Sequence, residues 1–291
     1  MAVLLTGCES FVGRELKKTL SRHTIEFVGW DVVPSDDANC LMVDIRDKNI
    51  SNKFPDSIDC IIHLAAISRE LECSENPLLA FDVNVQGTLN LVEVAKSRSL
   101  KQFIFASSEW VYGEVLNEEV QIENQVIDVT RIMSNYALSK ICGERALEIV
   151  SKDTEMAATI LRFSIIYGPR THNWSAVEAL FNTINNNDEV VVGSLKTARR
   201  FIHISDICEG IFSALNRTGF EVLNLSGSKL TTLGKVIETA IAITGKSPEI
   251  VENSPDNIRI RNPDNTKALK LLKWKPKITL ENGMQSLLGN L

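Results

Sequence analysis

Tyr136 and Lys140 stand four residues apart in the stretch Ser134-Asn-Tyr-Ala-Leu-Ser-Lys140. On a helix that spacing puts both side chains on one face, with Cβ atoms about 5–6 Å apart. A free phenol, with a pKa of about 10, is a poor base at neutral pH. An ammonium beside it favours the phenolate, because a nearby opposite charge stabilises the charged form. Such a pair is suited to passing an alcohol proton back and forth. Upstream, Phe103-Ile-Phe-Ala-Ser-Ser-Glu-Trp-Val-Tyr112-Gly113 is an apolar run that breaks into small hydroxyl residues. It reads as a buried parallel strand whose C-terminal end presents Ser107 and Ser108, at the edge where open α/β sheets bind ligands.

A second set of residues points to a dinucleotide. Ala2-Val-Leu-Leu-Thr-Gly7-Cys-Glu-Ser10-Phe-Val-Gly13 is a strand that enters a glycine-punctuated turn and then a helix. The first glycine permits the tight turn and the last lets helix and strand pack closely. The helix N-terminus offers N–H groups and partial positive charge to a pyrophosphate. Asp31 ends the next apolar run, 24 residues after Gly7, near the about 20 expected of a carboxylate that holds the adenosine ribose hydroxyls. A carboxylate there repels a 2′-phosphate, which favours NAD over NADP. Ser10 departs from the fingerprint, which has glycine at its middle position. Its hydroxyl either meets a phosphate oxygen or holds the cofactor slightly away.

The elements that must position these residues follow from the apolar pattern. Strand-like runs near 2–6, 25–30, 41–43, 58–64, 102–107 and 157–163 alternate with helical stretches near 12–22, 80–98 and 135–151. Near-continuous Val/Ile/Leu strands between helices predict an α/β fold with a doubly wound parallel sheet covered on both faces. Beyond residue 165 the pattern loosens. Apolar segments near 200–204 and 221–225 are candidates to return to the main sheet, while helices near 230–243 and 266–272 fit a smaller lobe. The expected organisation is a Rossmann core over 1–165, with 200–226 returning to it, and a mostly substrate-binding, interleaved lobe over 166–291. The substrate is expected in the cleft between them.

Bulk properties exclude several functions. The 291 residues are 44% hydrophobic with a net charge of −6, so there is no basic footprint for nucleic acid or an anionic membrane. No apolar run reaches the roughly 20 residues of a membrane helix. Leu5-Thr-Gly-Cys8 resembles a lipoprotein cleavage box, but a secretory signal needs about 15–30 residues before it, and only seven precede Cys8. The six cysteines, at 8, 40, 60, 73, 142 and 208, include no C-x-x-C. They read as reduced, mostly buried residues of a cytoplasmic protein without disulfide or metal roles. The histidines at 23, 63, 172 and 203 show no metal-ligand spacing, and His63, at a strand end, reads as a satisfied core residue. No metal is expected.

Together these segments resemble the extended short-chain dehydrogenases/reductases, the NAD-dependent nucleotide-sugar epimerases and dehydratases. Thr6-Gly-Cys-Glu-Ser-Phe-Val-Gly13 is similar to that family's TGxxGxxG, and Val43-Asp44-Ile45 to its adenine-contacting segment. Ile62-His-Leu-Ala-Ala66 is similar to the HLAA strand end along the cofactor, and Asn84-Val-Gln-Gly-Thr-Leu-Asn-Leu to the helix motif whose first Asn props the active-site backbone. Arg162 and Tyr167-Gly-Pro-Arg170, Arg199-Arg-Phe-Ile-His-Ile-Ser-Asp206, and Asp264-Asn-Thr-Lys-Ala268 with Leu272-Lys-Trp274-Lys-Pro276 resemble the later motifs in the family's order.

The resemblance implies catalysis by Ser108, Tyr136 and Lys140. It places NAD against Gly7, Ser10, Phe11, Val12 and Gly13, against Asp31, Asp44 and Ile45, and against Leu64, Ala65, Ala66, Asn84, Ser107, Tyr136, Lys140 and Phe163. It places a nucleotide sugar against Ser68, Ser108, Glu109, Trp110, Ser164, Arg199 and Arg259. Trp174 and Arg261 are further candidates. The helices near 80–98 and 135–151 imply a homodimer by the family's four-helix pairing.

Two departures narrow the chemistry. The acidic pair that follows the catalytic hydroxyl in the family's dehydratases is Glu109-Trp110 here, which argues against 4,6-dehydration. The Asn that often contacts the substrate diphosphate is Ile165, beside Ser164. The expected activity is sugar 4-epimerisation through a transient 4-keto sugar. A nucleotide 4-keto-6-deoxysugar reductase is the alternative, and a non-catalytic NAD(P)-sensing protein a third reading. The last is disfavoured because Ser108, Tyr136 and Lys140 are all present.

Overall fold

The computed structural model describes residues 1–113, 118–172 and 174–288. The chain divides into two compact units, each assembled from several segments.

The first unit comprises Met1–Gly113, Val126–Arg162 and Cys208–Leu223. Its strands are β1 (Ala2–Thr6), β2 (Glu26–Asp31), β3 (Cys40–Met42), β4 (Cys60–His63), β5 (Gln102–Ser108) and β6 (Ala157–Phe163). With β11 (Phe220–Leu225) they form a seven-stranded sheet ordered β11-β6-β5-β4-β1-β2-β3; β7 (Ile166–Tyr167), β8 (Glu189–Val192), β9 (Ala198–Arg199) and β10 (Ile202–His203) lie outside it. The pairings of β1 with β2 and β4, of β2 with β3 and of β4 with β5 are parallel. Every residue of β4 and β5 is buried, as expected of central strands covered on both faces. The core is built from Leu4, Trp30, Ile61, Leu91, Phe103, Phe105, Leu147 and Ile160 among others.

The helices of this unit are α1 (Phe11–Arg22), α2 (Glu70–Glu75), α3 (Pro77–Phe81), α4 (Thr88–Ser97) and α5 (Asn135–Asp153). The single helix expected near 80–98 is three pieces. Asn76 caps α3 by accepting from Leu79 N at 3.1 Å, Pro77 occupies its first turn, and Asp82–Gly87 then widens into π geometry before α4 begins. The Thr88 hydroxyl donates to the Asn84 carbonyl at 2.6 Å, a side-chain competitor for the helical backbone acceptor. Periodicity does not register such a local exchange of partners.

The second unit comprises the described part of Glu114–Gln125, Phe163–Ile207 and Asn224–Leu291. Its helices are α6 (Ala176–Asn186), α8 (Leu233–Thr244), α9 (Thr266–Leu272) and α10 (Leu280–Gln285), with β12 at Thr231–Thr232 and β13 at Glu249–Glu252; α7 (Ile204–Ser213) begins in this unit and ends in the first. A reciprocal capping box of Ser175 and Glu178 opens α6. Two-stranded pairs β7–β10, β9–β12 and β8–β13 surround a core that includes Tyr167, Phe181, Val236 and Met284. Of the stretch 200–226 expected in the nucleotide core, Cys208–Leu223 clusters with the first unit and β11 joins its sheet. Ile202–His203 instead pairs with Ile166–Tyr167 in the second unit. Among the described residues no helix is long and apolar enough to cross a membrane.

Candidate active site

Ser134 caps α5, its hydroxyl accepting from Ala137 N at 3.1 Å, and the helix then carries Tyr136 and Lys140 on one face. Ser108 ends β5, and its Oγ accepts from Trp110 N at 3.3 Å as the chain turns into a short 3₁₀ segment, Glu109–Tyr112. The Ser108 hydroxyl lies close enough to the Tyr136 phenol to lower its pKa. Lys140 is buried, its Nζ 5.7 Å from the Tyr136 ring centroid and 4.9 Å from that of Phe105. The structure thus brings together the three side chains that the sequence singles out for proton transfer.

Their electrostatics differ from the sequence expectation. Burial pushes the Tyr136 phenol up to about 12, the nearby Ser108 hydroxyl opposing and the Cys73 thiol adding to the rise. Burial also brings Lys140 down to about 8, against the pull of Cys73 and Glu144. In the polypeptide by itself the lysine does not lower the phenol. Desolvation, which disfavours whichever form is charged, governs both groups.

A polar relay fixes the floor of the site. The His63 ring lies between Thr6 Oγ1, 2.7 Å from Nδ1, and Thr88 Oγ1, 2.9 Å from Nε2. Thr88 spends its own proton on the Asn84 carbonyl, so it accepts from Nε2–H, and Thr6 donates to Nδ1. Burial, then the Lys140 charge, lower the His63 pKa to about 3, and the ring is neutral. The Asn84 amide holds Ile67 at both N and O, at 2.8 and 2.9 Å, and donates to Ser139 Oγ at 3.0 Å; Ser139 in turn donates to Tyr136 O at 2.7 Å. Asn84 is buried with its amide committed to these partners, which makes it a prop for the backbone beside the cofactor strand.

Other residues here carry no sequence signal for the site. The Glu70 carboxylate, 64 residues before Ser134 in the chain, accepts from the Ser134 hydroxyl and from Tyr136 N at 3.4 Å, a favourable place for a negative charge at a helix start. Cys73 is buried beside Tyr136 and Lys140, and its own thiol is pushed up to about 11 by that burial and by Glu70 and Glu72. Glu144 was legible in principle, since 136, 140 and 144 continue one helical stripe. It accepts Arg162 Nε at 2.9 Å and Nη2 at 2.6 Å, and the Ser107 hydroxyl at 2.5 Å. Burial works against the Arg162 cation, but the Glu144 bonds outweigh it and raise its pKa.

The turn after β1 fits a dinucleotide. Gly7 has φ +73°, and a Cβ there would lie 2.7 Å from Ala65 N; a Cβ on Gly13 would lie 2.1 Å from Gly7 O. Neither position admits a side chain, so the turn hugs the sheet and the start of α1, with Phe11 and Val12 in its first turn, faces the sheet edge. Ser10 is the helix N-cap, its Oγ accepting from Gly13 N at 3.0 Å, a role that leaves its hydroxyl proton for another acceptor. The Asp31 carboxylate accepts from Glu9 N at 2.8 Å and from Val32 N and Val33 N, which aims it beside the turn. Val43 N bonds Asp31 O at 2.8 Å, bringing Asp44 and Ile45 alongside. Asp44 is held by Arg46 and lowered chiefly by it; Ile45 is buried against Gly87. Leu64 N and Ala65 N bond Thr6 O and Thr6 Oγ1, setting the Leu64–Ala66 segment beside the glycine turn.

The substrate candidates divide between the units. Ser68 is exposed, Glu109 fully buried and Trp110 half-buried in the first. Phe163 and Ser164 begin a segment of the second, where the buried Ser164 Oγ has no hydrogen-bond partner among the described residues. Arg199 Nη1 donates to Arg259 O at 2.6 Å and to Ala198 O at 2.7 Å, so these two arginines are neighbours; Arg261 is buried. Trp174 Nε1 donates to Arg170 O at 2.9 Å and packs its own loop.

With an acid–base trio at the end of β5 and a dinucleotide turn at the end of β1, the molecule is a Rossmann-type oxidoreductase. Over residues 3–226 the sequence matches the NAD dependent epimerase/dehydratase family, and the chain belongs to that family. It is 27% identical to the UDP-glucose 4-epimerase of Vibrio cholerae over 98% of this chain and 93% of that protein. It is 28% identical to the UDP-glucuronate 4-epimerase of Thermodesulfobacterium geofontis over 79% of this chain and 71% of that one. Among solved structures, the Thermus thermophilus UDP-glucose 4-epimerase in complex with NAD superposes with a TM-score of 0.83 at 25% identity, covering 100% of both chains.

Proposed function

We propose that this protein is an NAD-dependent UDP-sugar 4-epimerase. The observation that supports the reading most is that Ser108, at the end of β5, lies beside Tyr136 of α5, with Lys140 one helical turn further along and its Nζ 5.7 Å from the Tyr136 ring centroid. The names of the relatives favour epimerisation over keto-sugar reduction. Gly7, Gly13, Asp31 and the Leu64–Ala66 strand end would hold NAD, which when bound supplies a reversible acceptor for the C4 hydride. Tyr136, once its own proton has been given up, takes the proton of the sugar C4 hydroxyl at Oη while Ser108 Oγ hydrogen-bonds that oxygen. Lys140 presents its ammonium to the same pocket and orients the reactants. After the 4-keto sugar has turned, Tyr136 returns a proton to the oxygen and the opposite configuration results. Proton transfer by a positioned group is worth on the order of 10²–10⁴-fold, and alignment of the reactants supplies much of the rest. Ser68, Glu109, Trp110, Ser164, Arg199 and Arg259 are assigned to the nucleotide sugar. The helices α4 and α5 are assigned to a homodimer interface, and the six scattered thiols fit a cytoplasmic protein.

The test is incubation with UDP-glucose, UDP-galactose, UDP-glucuronate and UDP-galacturonate, with products read by mass and NMR. Inverted C4 configuration at unchanged mass is the expected result without added NADH. A two-hydrogen gain that requires NADH would overturn the epimerase assignment. Tyr136→Phe is expected to bind NAD and to turn over at least about 10²-fold more slowly.

A further inference from the structure

Two thiols meet behind the glycine turn. Cys8 follows Gly7 and is buried; Cys40 opens β3 and is half-exposed. The Cys8 and Cys40 sulfurs and a Glu9 carboxylate oxygen all lie within 4.8 Å of one another. Both sulfurs sit over Gly29 of β2, where a Cβ would lie 2.5 Å from Cys40 Sγ and 2.9 Å from Cys8 Sγ. The missing side chain of Gly29 is what lets them share that space. Lys17 Nζ lies 2.6 Å from Glu9 Oε1 and 3.6 Å from Cys40 Sγ. A cation therefore already occupies the cluster, which argues against a metal ion and places an ammonium beside the more exposed sulfur.

We infer that Cys8 and Cys40 are a redox-modification site, oxidised reversibly to a disulfide by a peroxide, and that the disulfide weakens dinucleotide binding. Cys40 sulfur, its proton released, attacks one oxygen of hydrogen peroxide; the O–O bond breaks and the leaving hydroxide becomes water. The Cys8 sulfur then attacks the resulting sulfenic acid, the S–O bond breaks, and the Cys8 proton leaves with the hydroxide as a second water. Two thiols lose two electrons and the peroxide is reduced to two waters. A dithiol reverses the reaction by exchange.

The coupling to the cofactor site rests on the dinucleotide reading above and follows from how little slack the turn has. Cys8 lies between Gly7, whose turn touches Ala65 N, and Gly13, whose Cα packs on Cys8 itself. Cys8 N bonds Trp30 O, and the next residue, Glu9, donates its N–H to Asp31. Drawing Cys8 Sγ to bonding distance of Cys40, a disulfide being about 2.05 Å long, pulls on the turn that aims α1 and Asp31.

The test oxidises the full-length chain with hydrogen peroxide and digests it with trypsin. Cys8 and Cys40 fall in peptides 1–14 and 23–46, each with no other cysteine. The expected result is that these two peptides are linked, that dithiothreitol separates them, and that calorimetric NAD affinity falls about tenfold and recovers on reduction. Cys40→Ser is expected to bind NAD normally and to be insensitive to peroxide. Recovery of the two peptides unlinked, or of Cys40 as a sulfinic acid, overturns the thiol pairing. Linked peptides with unchanged NAD affinity overturn the coupling. A reduced chain that binds no NAD overturns the dinucleotide reading, and the peptide linkage still decides the thiol chemistry.

Discussion

At the scale of the residue, the trio Ser108, Tyr136 and Lys140 was legible from spacing and order, but its energetics were not. The i, i+4 step states that an ammonium lies near a phenol. It does not state that both are withdrawn from water, and desolvation is what moves them, the phenol to about 12 and the lysine to about 8. This has a consequence for stability. A lysine whose folded pKa is below its unfolded value of about 10.4 binds fewer protons when folded, so stability rises with pH between the two values. Below about pH 8 the burial penalty is fully present. Tyr136 acts in the opposite sense only above about pH 10, its unfolded value. Urea midpoints measured from pH 7 to 10 are therefore expected to climb more steeply for the native chain than for Lys140→Met. The variant is expected to be the more stable of the two at pH 7 and inactive. Parallel pH profiles for the two proteins would show that Lys140 is not a buried, weakened base.

At the scale of the element, strand–helix alternation placed β1, β5, β6 and α5 within a residue or two of where they lie. The helix expected near 80–98 is helical throughout, but periodicity did not show that Asp82–Gly87 takes π geometry, where the Thr88 hydroxyl bonds the Asn84 carbonyl. Asn84, inside that segment, sits where one amide serves Ile67, after β4, and Ser139, on α5. Asn84→Ala would leave the Ile67 N–H and carbonyl without their partner in a buried setting. An orphaned buried polar group costs on the order of 1–3 kcal/mol, and that loss is expected in chemical denaturation. Turnover is expected to fall while NAD affinity changes less, since the side chain supports α5 through Ser139. A variant as active and as stable as the native chain would remove Asn84 from this role. The His63 relay adds an acid limit. Its folded pKa of about 3 lies below the ordinary 6.5, so the stability its neutral ring contributes is lost as pH falls through that interval. A His63→Phe variant, in which this titration is absent, is expected to show a shallower decline between pH 6.5 and 4.

At the scale of the whole molecule, composition and pattern pointed to a doubly wound sheet, a second lobe after residue 165 and a stretch within 200–226 returning to the nucleotide unit. The segment that returns is Cys208–Leu223, narrower than the 200–226 the apolar pattern marked. Its anchors are specific. Ala158 N donates to Gly219 O at 2.9 Å, and the buried Gln102 amide donates to Ala214 O at 2.8 Å and accepts from Asn216 N at 2.9 Å. Phe212 stacks on His23 with ring centroids 3.7 Å apart, and Arg22 pairs with Glu209 at 3.3 Å, holding this segment on α1. A chain ending at residue 165 lacks all of these. It exposes β6 as a long apolar edge, an invitation to aggregate, and strands the Gln102 amide in the core, where an unpartnered polar group is costly. Such a fragment is therefore expected to lack a cooperative urea transition and to bind no NAD. The same segments rejoined by a short linker to 208–226 are expected to regain a transition. Cooperative unfolding of the 1–165 fragment alone would show that the returning segment decorates the nucleotide unit without being needed to complete it.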